Sequence, residues 1–230
     1  MNMFNRTSPV LSELLVYLAQ HDGQEESLPS LMELSQELGM SVALVREQLE
    51  VARALGLVEV RPRTGIRRLP YSFFPAVHLS LQYALARDKH LFEAFASLRN
   101  HIEAAYWYEA VQRLQPEDHQ ALLEIVERAE AKLQRVPAEI PHPEHRRLHL
   151  LIYSRLENPF VSGLLEAYWE AYETVGLNVV TSLEYLREVW SYHRRMVEAI
   201  VRGDYEAGYR ALIEHTDLLS HRPQPEISGA

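Results

Sequence analysis

The chain has 230 residues, 47% of them hydrophobic and 24% charged, with a net charge of −9 and no cysteine. That length holds two modest domains or one large one, and the composition is ordinary for a soluble globular protein. Without cysteine there are no disulfides or thiolate ligands, so any metal must be held by imidazole, carboxylate or water; a cytoplasmic location fits. No apolar run approaches a membrane span and no N-terminal signal pattern is present, so no membrane segment is expected.

Residues 1–70 read as three helices followed by a hairpin. The first helix is expected over 8–21, with Val10, Leu11, Leu14, Leu15 and Leu18 on one side and Asp22-Gly23 as its stop. A polar loop follows. Pro29-Ser30 starts the second helix, Leu31, Leu34 and Leu38 face inward, and Gly39 ends it. Ser41 is placed to cap a third helix whose buried stripe is Val45, Leu49 and Ala52, closed by Gly56. Two short strands, LVEVRP and GIRRLP, then flank Arg63, Thr64 and Gly65. This is the pattern of a winged helix-turn-helix, which presents its third helix to a DNA major groove. The acidic net charge by itself argues against nucleic acid, but Arg61, Arg63, Arg67 and Arg68 crowd the wing with no acid among them. Val42 and Arg46 share the outward face of the third helix with Glu50 and Arg53, which makes Arg46 the leading base or phosphate contact. The alternative use of such a unit is protein contact, with the arginines as a solvated turn.

From residue 71 to 222 the pattern is helical throughout. Helices are expected near 74–87, 90–114, 117–135, 142–156, 160–176, 182–202 and 205–220, with prolines at the joints and Asp204 as a cap for the last. Residues 223–230 read as a disordered tail. The fold class is therefore mainly α: a winged helix-turn-helix followed by an all-helical bundle.

Four histidines stand on apolar faces of this bundle. His145 and His149 are one turn apart in a stripe continued by Leu148, Ile152 and Leu156; His193 lies between Val189 and Val197, and His215 between Ala211 and Leu219. Residues at i and i+4 project from one helix face, so these rings point inward. One such histidine is an ordinary core residue. Four on converging faces form a candidate site for a divalent transition metal, zinc or nickel by ligand type.

The segment from Leu28 to Ile66 resembles the DNA-binding domain of GntR-type bacterial transcription regulators, through Leu28-Pro29-Ser30, Glu33-Leu34, Leu38-Gly39, Ser41, Val45-Arg46-Glu47, Gly56-Leu57-Val58 and Gly65. The second half resembles the FCD effector domain of the FadR subfamily, through Arg99 with Glu103, His149 followed by Asn158-Pro159, and His193 with His215 around Gly203-Asp204. The resemblance implies a homodimeric regulator, repressor or activator, that binds a double-stranded DNA operator and a small organic acid effector, in many members beside a divalent metal. It implies His149, His193 and His215 as metal ligands, Arg99 as an effector contact, and Ser41, Val42, Arg46, Arg61, Arg63, Thr64, Gly65 and Arg67 at the DNA. Two departures stand out. The family's aspartate ligand is replaced by His145, which removes a negative charge from the site, and Glu144 points about 100° away around the helix. Positions that often hold arginine near the starts of the second and third helices hold Met32 and Val42.

Arg99 has a second reading, a surface ion pair with Glu103 at i+4. Asn158 before Pro159 reads as a helix cap, and the aromatic residues at 106–108, 168–172 and 190–192 as core. A metal-dependent, hydrolase-like enzyme is the competing function, and no motif places a carboxylate beside the histidines as its general base. A regulator whose metal is structural, or is itself the signal, is the third reading. The expectation is a regulator and not an enzyme.

Overall fold

Helix starts are where side chain and backbone agree most closely. In the computed structural model, which describes residues 11–21, 27–61, 65–174 and 182–220, Ser30 opens α2 (Leu31–Leu38) with a reciprocal capping box. Its hydroxyl accepts from the Glu33 N–H while the Glu33 carboxylate accepts from the Ser30 N–H. Gly39 ends the helix in the left-handed region at φ 64°. Ser41 caps α3 (Val42–Ala54) by accepting from the Leu44 N–H. α1 (Glu13–Gln20) is tied to α3 by a bond from the Leu14 N–H to Gln48 Oε1.

The wing is an antiparallel pair, β2 (Val58–Arg61) and β3 (Gly65–Arg68). A two-residue strand, β1 (Ser27–Leu28), pairs with the other edge of β3 and gives the order β1-β3-β2. β1 lies where the sequence suggests only a polar loop, because two residues are too few to show a strand period. Leu14, Leu34, Val45, Leu49, Val58 and Ile66 form the core of this unit. Leu11 was expected on the apolar side of the first helix, yet it precedes α1 and is 49% exposed. At the turn from α3 to β2, Gly56 has φ 70°, and a Cβ there would meet Pro75 Cγ at 2.4 Å. Only glycine suits that position.

The chain divides into two compact units, Met1–Leu79 and Ser80–Ala230. α4 (Phe74–Arg87) spans the division. The second unit is helical among its described residues: α5 (Leu91–Arg113), α6 (Pro116–Leu133), α7 (His142–Ile152), α8 (Pro159–Thr174), α9 (Leu183–Arg202) and α10 (Tyr205–Ser220). α7 stops at Ile152, a turn short of the expected 156, and Leu156 is buried from the turn that follows. Asp204 caps α10 by accepting from the Ala207 N–H. Asn158 likewise accepts from the N–H groups of Phe160 and Val161 at the start of α8, as a cap should.

Leu122, Ile125, Leu148, Leu165, Met196 and Ile200 are buried at the centre of this bundle. Burying each such side chain stabilises the fold by roughly 1.5–3 kcal/mol. Arg194 on α9 clasps Glu130 on α6 with two bonds of 2.6 Å, and Trp107 on α5 donates its indole N–H to the Tyr205 carbonyl on α10. No helix among the described residues is long and apolar enough to cross a membrane. Arg63, Thr64, Val10, the Asp22-Gly23 stop and the tail from 223 lie outside the described residues.

Candidate metal centre

Three helices deliver the four histidines. α7 carries His145 and His149 on the face that also buries Leu148 and Ile152. α9 inserts His193 between Val189 and Val197, and α10 adds His215 four residues after the buried Ala211. His149, His193 and His215 are fully buried and His145 is 8% exposed. One ring nitrogen from each lies within 4.8 Å of all the others. Nε2 of His149 and Nε2 of His193 are 3.2 Å apart. Tetrahedral zinc with nitrogen at 2.0–2.1 Å sets its ligands roughly 3.3 Å from one another, so small rotations of the rings complete the shell.

The protonation state of the rings suits a metal ligand set. Burial pushes all four imidazoles well below the usual histidine range; the Arg99 guanidinium pushes the same way on each, neighbouring rings do so on His145, His193 and His215, and Glu103 opposes the shift at His215. Neutral imidazole is the ligand form. His145 Nε2, His193 Nδ1 and both nitrogens of His215 are buried without hydrogen-bond partners. Such orphaned nitrogens cost stability unless something binds them. The residues present therefore fit a divalent metal held by nitrogen.

Arg99 and Glu103 on α5 form a pair at 3.0 Å, 2% and 0% exposed, so the i,i+4 pair exists but is buried. Its placement brings Glu103 Oε1 within 3.1 Å of His149 Nδ1, so a carboxylate stands beside the histidines although no motif in the sequence places one there. A signal for it lay in the four-residue spacing Arg99, Glu103, Trp107, which puts the carboxylate on the face of a core tryptophan. Burial raises the Glu103 carboxyl above its usual value, and Arg99 opposes that shift. Glu144, one residue before His145, turns to Lys132 at 3.1 Å, away from the cluster.

Aromatic rings wall the site. Trp169 lies 4.7 Å from His145 and 5.1 Å from His149, Trp190 lies 4.8 Å from His193, and Arg99 stacks 4.6 Å from the Tyr168 ring. The indole N–H of Trp169 is buried and meets no acceptor among the described residues. A cavity of about 20 Å³, bordered by His145, Tyr172 and Trp190, adjoins the cluster.

In the first unit, Arg46 is exposed on α3, and no ion pair among the described residues holds it. Val42 is half-buried, Met32 is 66% exposed, and the Ser41 hydroxyl is used as a cap. Gly65 begins β3 at φ 83°. Arg61 and Arg67 project from the wing, where Glu59 reaches both, at 3.0 and 3.9 Å. Arg68 turns inward instead and donates to the His21 carbonyl.

A winged helix-turn-helix and a helical domain with buried histidines define a two-domain architecture, and comparison with known proteins agrees. The chain belongs to the FCD-domain family, whose sequence model matches residues 94–218. Among solved structures it is similar to Streptococcus agalactiae GntR, with a TM-score of 0.67 and 18% identity over 90% of this chain and 94% of that one. It is also similar to E. coli McbR/YncC, with a TM-score of 0.51 and 19% identity over 91% of this chain and 96% of that one. These likenesses bear out the expected GntR-type fold in both units. No curated protein matches the chain.

Proposed function

We propose that the protein is a DNA-binding transcription regulator of the FadR type, in which a metal-centred site for a small carboxylate controls operator binding. The observation that carries the effector half is the convergence of unsatisfied groups at one buried spot. The imidazole nitrogens call for a cation, while the Trp169 indole N–H donates only and calls for an acceptor oxygen. An organic anion beside the metal serves that N–H, and Arg99 is the guanidinium nearest to hold its charge. The cavity beside His145 has room for little more than one water-sized group. Effector binding therefore requires the surrounding helices to give way, and that displacement is the change a regulator transmits.

The DNA half rests on Arg46 standing exposed on α3 and on the arginines of the wing. As a homodimer, the protein would set two such units on a near-palindromic operator. Zinc or nickel is the ion the ligand set favours. A second reading, in which the metal is structural or is itself the signal, is favoured by the four imidazoles, since four nitrogens are a full tetrahedral set.

Calorimetric titration of the zinc-loaded protein with small carboxylates tests the effector reading. Arg99→Ala and Trp169→Phe should each weaken the response while zinc content stays at the wild-type level. If neither variant alters carboxylate binding, or if no carboxylate binds, the second reading replaces the first.

A further inference from the structure

Two groups of opposite demand meet at one nitrogen of the site. Nδ1 of His149 lies 3.1 Å from Glu103 Oε1 and 3.2 Å from Arg99 Nη2. A carboxylate accepts hydrogen bonds and a guanidinium donates them, while a neutral imidazole carries a single ring proton. Nδ1 therefore serves one of the two at a time. With the proton on Nδ1, His149 donates to Glu103 and its Nε2 presents a lone pair. With the proton on Nε2, Nδ1 accepts from Arg99, and Nε2 donates to His193 Nε2 at 3.2 Å. His149, Glu103 and Arg99 are all at most 2% exposed, so bulk water does not blur the choice.

We infer, on the metal reading above, that Glu103 is a positioning residue that holds the His149 proton on Nδ1, and that a bound cation selects this tautomer at the expense of the Arg99–His149 bond. Only the Nδ1–H form turns a lone pair toward His193 and the other rings. The carboxylate also makes that lone pair more basic, as an acceptor behind a ligating histidine does. Arg99 stays anchored in the exchange, because it keeps Glu103 at 3.0 Å and Asn100 at 2.9 Å. What it loses is the acceptor for one Nη2 proton. Filling the site thus hands a buried guanidinium donor from an imidazole to whatever anion arrives beside it.

The test is ring-nitrogen NMR on full-length protein with isotope-labelled histidine, metal-free and with one equivalent of zinc, beside zinc calorimetry of the wild type and Glu103→Gln. The zinc form is expected to show His149 with a protonated Nδ1. Glu103→Gln, which keeps the shape and loses the charge, is expected to lower zinc affinity roughly 10- to 100-fold. Its metal-free His149 signal should shift toward the Nε2–H form, a change that a merely structural role for Glu103 does not produce. Zinc uptake by the wild type with an unprotonated His149 Nδ1 overturns the inference and leaves the metal reading intact. So does a folded Glu103→Gln variant with wild-type zinc affinity. Should the variant fail to fold, the wild-type tautomer decides. Absence of zinc uptake by the wild type removes the metal reading and this inference together.

Discussion

His149 and His193 bring their Nε2 atoms to 3.2 Å although 44 residues separate them along the chain. A neutral imidazole pair shares one proton between these nitrogens at best, so the contact is a weak bond without a cation and a pair of ligands with one. The unfolded chain does not assemble four histidines in this way, so on the metal reading a bound ion would add to folding stability.

His193→Ala and His215→Ala should each lower bound metal and the melting temperature together. A hundredfold excess of free zinc over its dissociation constant stabilises the wild type by about 2.7 kcal/mol, and this gain should shrink in both variants. Elemental analysis and thermal melts before and after chelation are the measurements. Wild-type protein that carries no metal and melts identically with added zinc or nickel would return these residues to the core.

The buried histidines also set a pH dependence. Their folded pKa values are depressed, so below about pH 6.5 the unfolded chain takes up protons that the folded chain refuses. Their contribution is complete above that pH and lost as the pH falls below it. Glu103, shifted upward, acts in the opposite sense from about pH 4.3 upward, one group against four. Denaturant midpoints of chelated protein should therefore hold between pH 7 and 8 and decline from about 6.5 to 5. A flat profile across that range contradicts the neutral buried cluster.

At the wing, Glu59 sits in register opposite Arg67 and also pairs with Arg61. Exposed pairs of this kind are worth about 0–1 kcal/mol, so a phosphate backbone outcompetes the carboxylate. Glu59→Gln should raise affinity for DNA of any sequence, and Arg61→Ala with Arg67→Ala should flatten its salt dependence by about 0.9 in log–log slope per lost phosphate contact. Arg46→Ala should weaken specific binding most. Fluorescence anisotropy across a salt series checks all three; operator affinity unchanged in the arginine variants removes α3 and the wing from the interface.

Gly208 on α10 offers a packing test. A Cβ there would lie 2.7 Å from Trp107 Cζ2, and the indole has little freedom to yield, being fully buried and bonded to the Tyr205 carbonyl. Gly208→Ala should cost about 1–3 kcal/mol despite the better helix propensity of alanine. Urea denaturation measures it. A stabilised variant would mean that α5 and α10 part easily.

Much of this protein is legible along the chain, because helix periodicity and capping depend on residues three or four apart. Ser30 with Glu33, Ser41, Asn158 and Asp204 mark helix starts, and the apolar stripes turn all four histidines inward. What packing between distant segments decides is absent from that local code. The spacing of Arg99 and Glu103 makes them meet, but only the packing of α5 against α8 and α10 buries the pair and sets it against His149. Strand register brings Glu59 beside Arg67, and β1 exists only because β3 offers it an edge. Trp169 reads as core in any single helix; the tertiary structure leaves its N–H buried without an acceptor beside His145, since a buried donor is defined by what surrounds it.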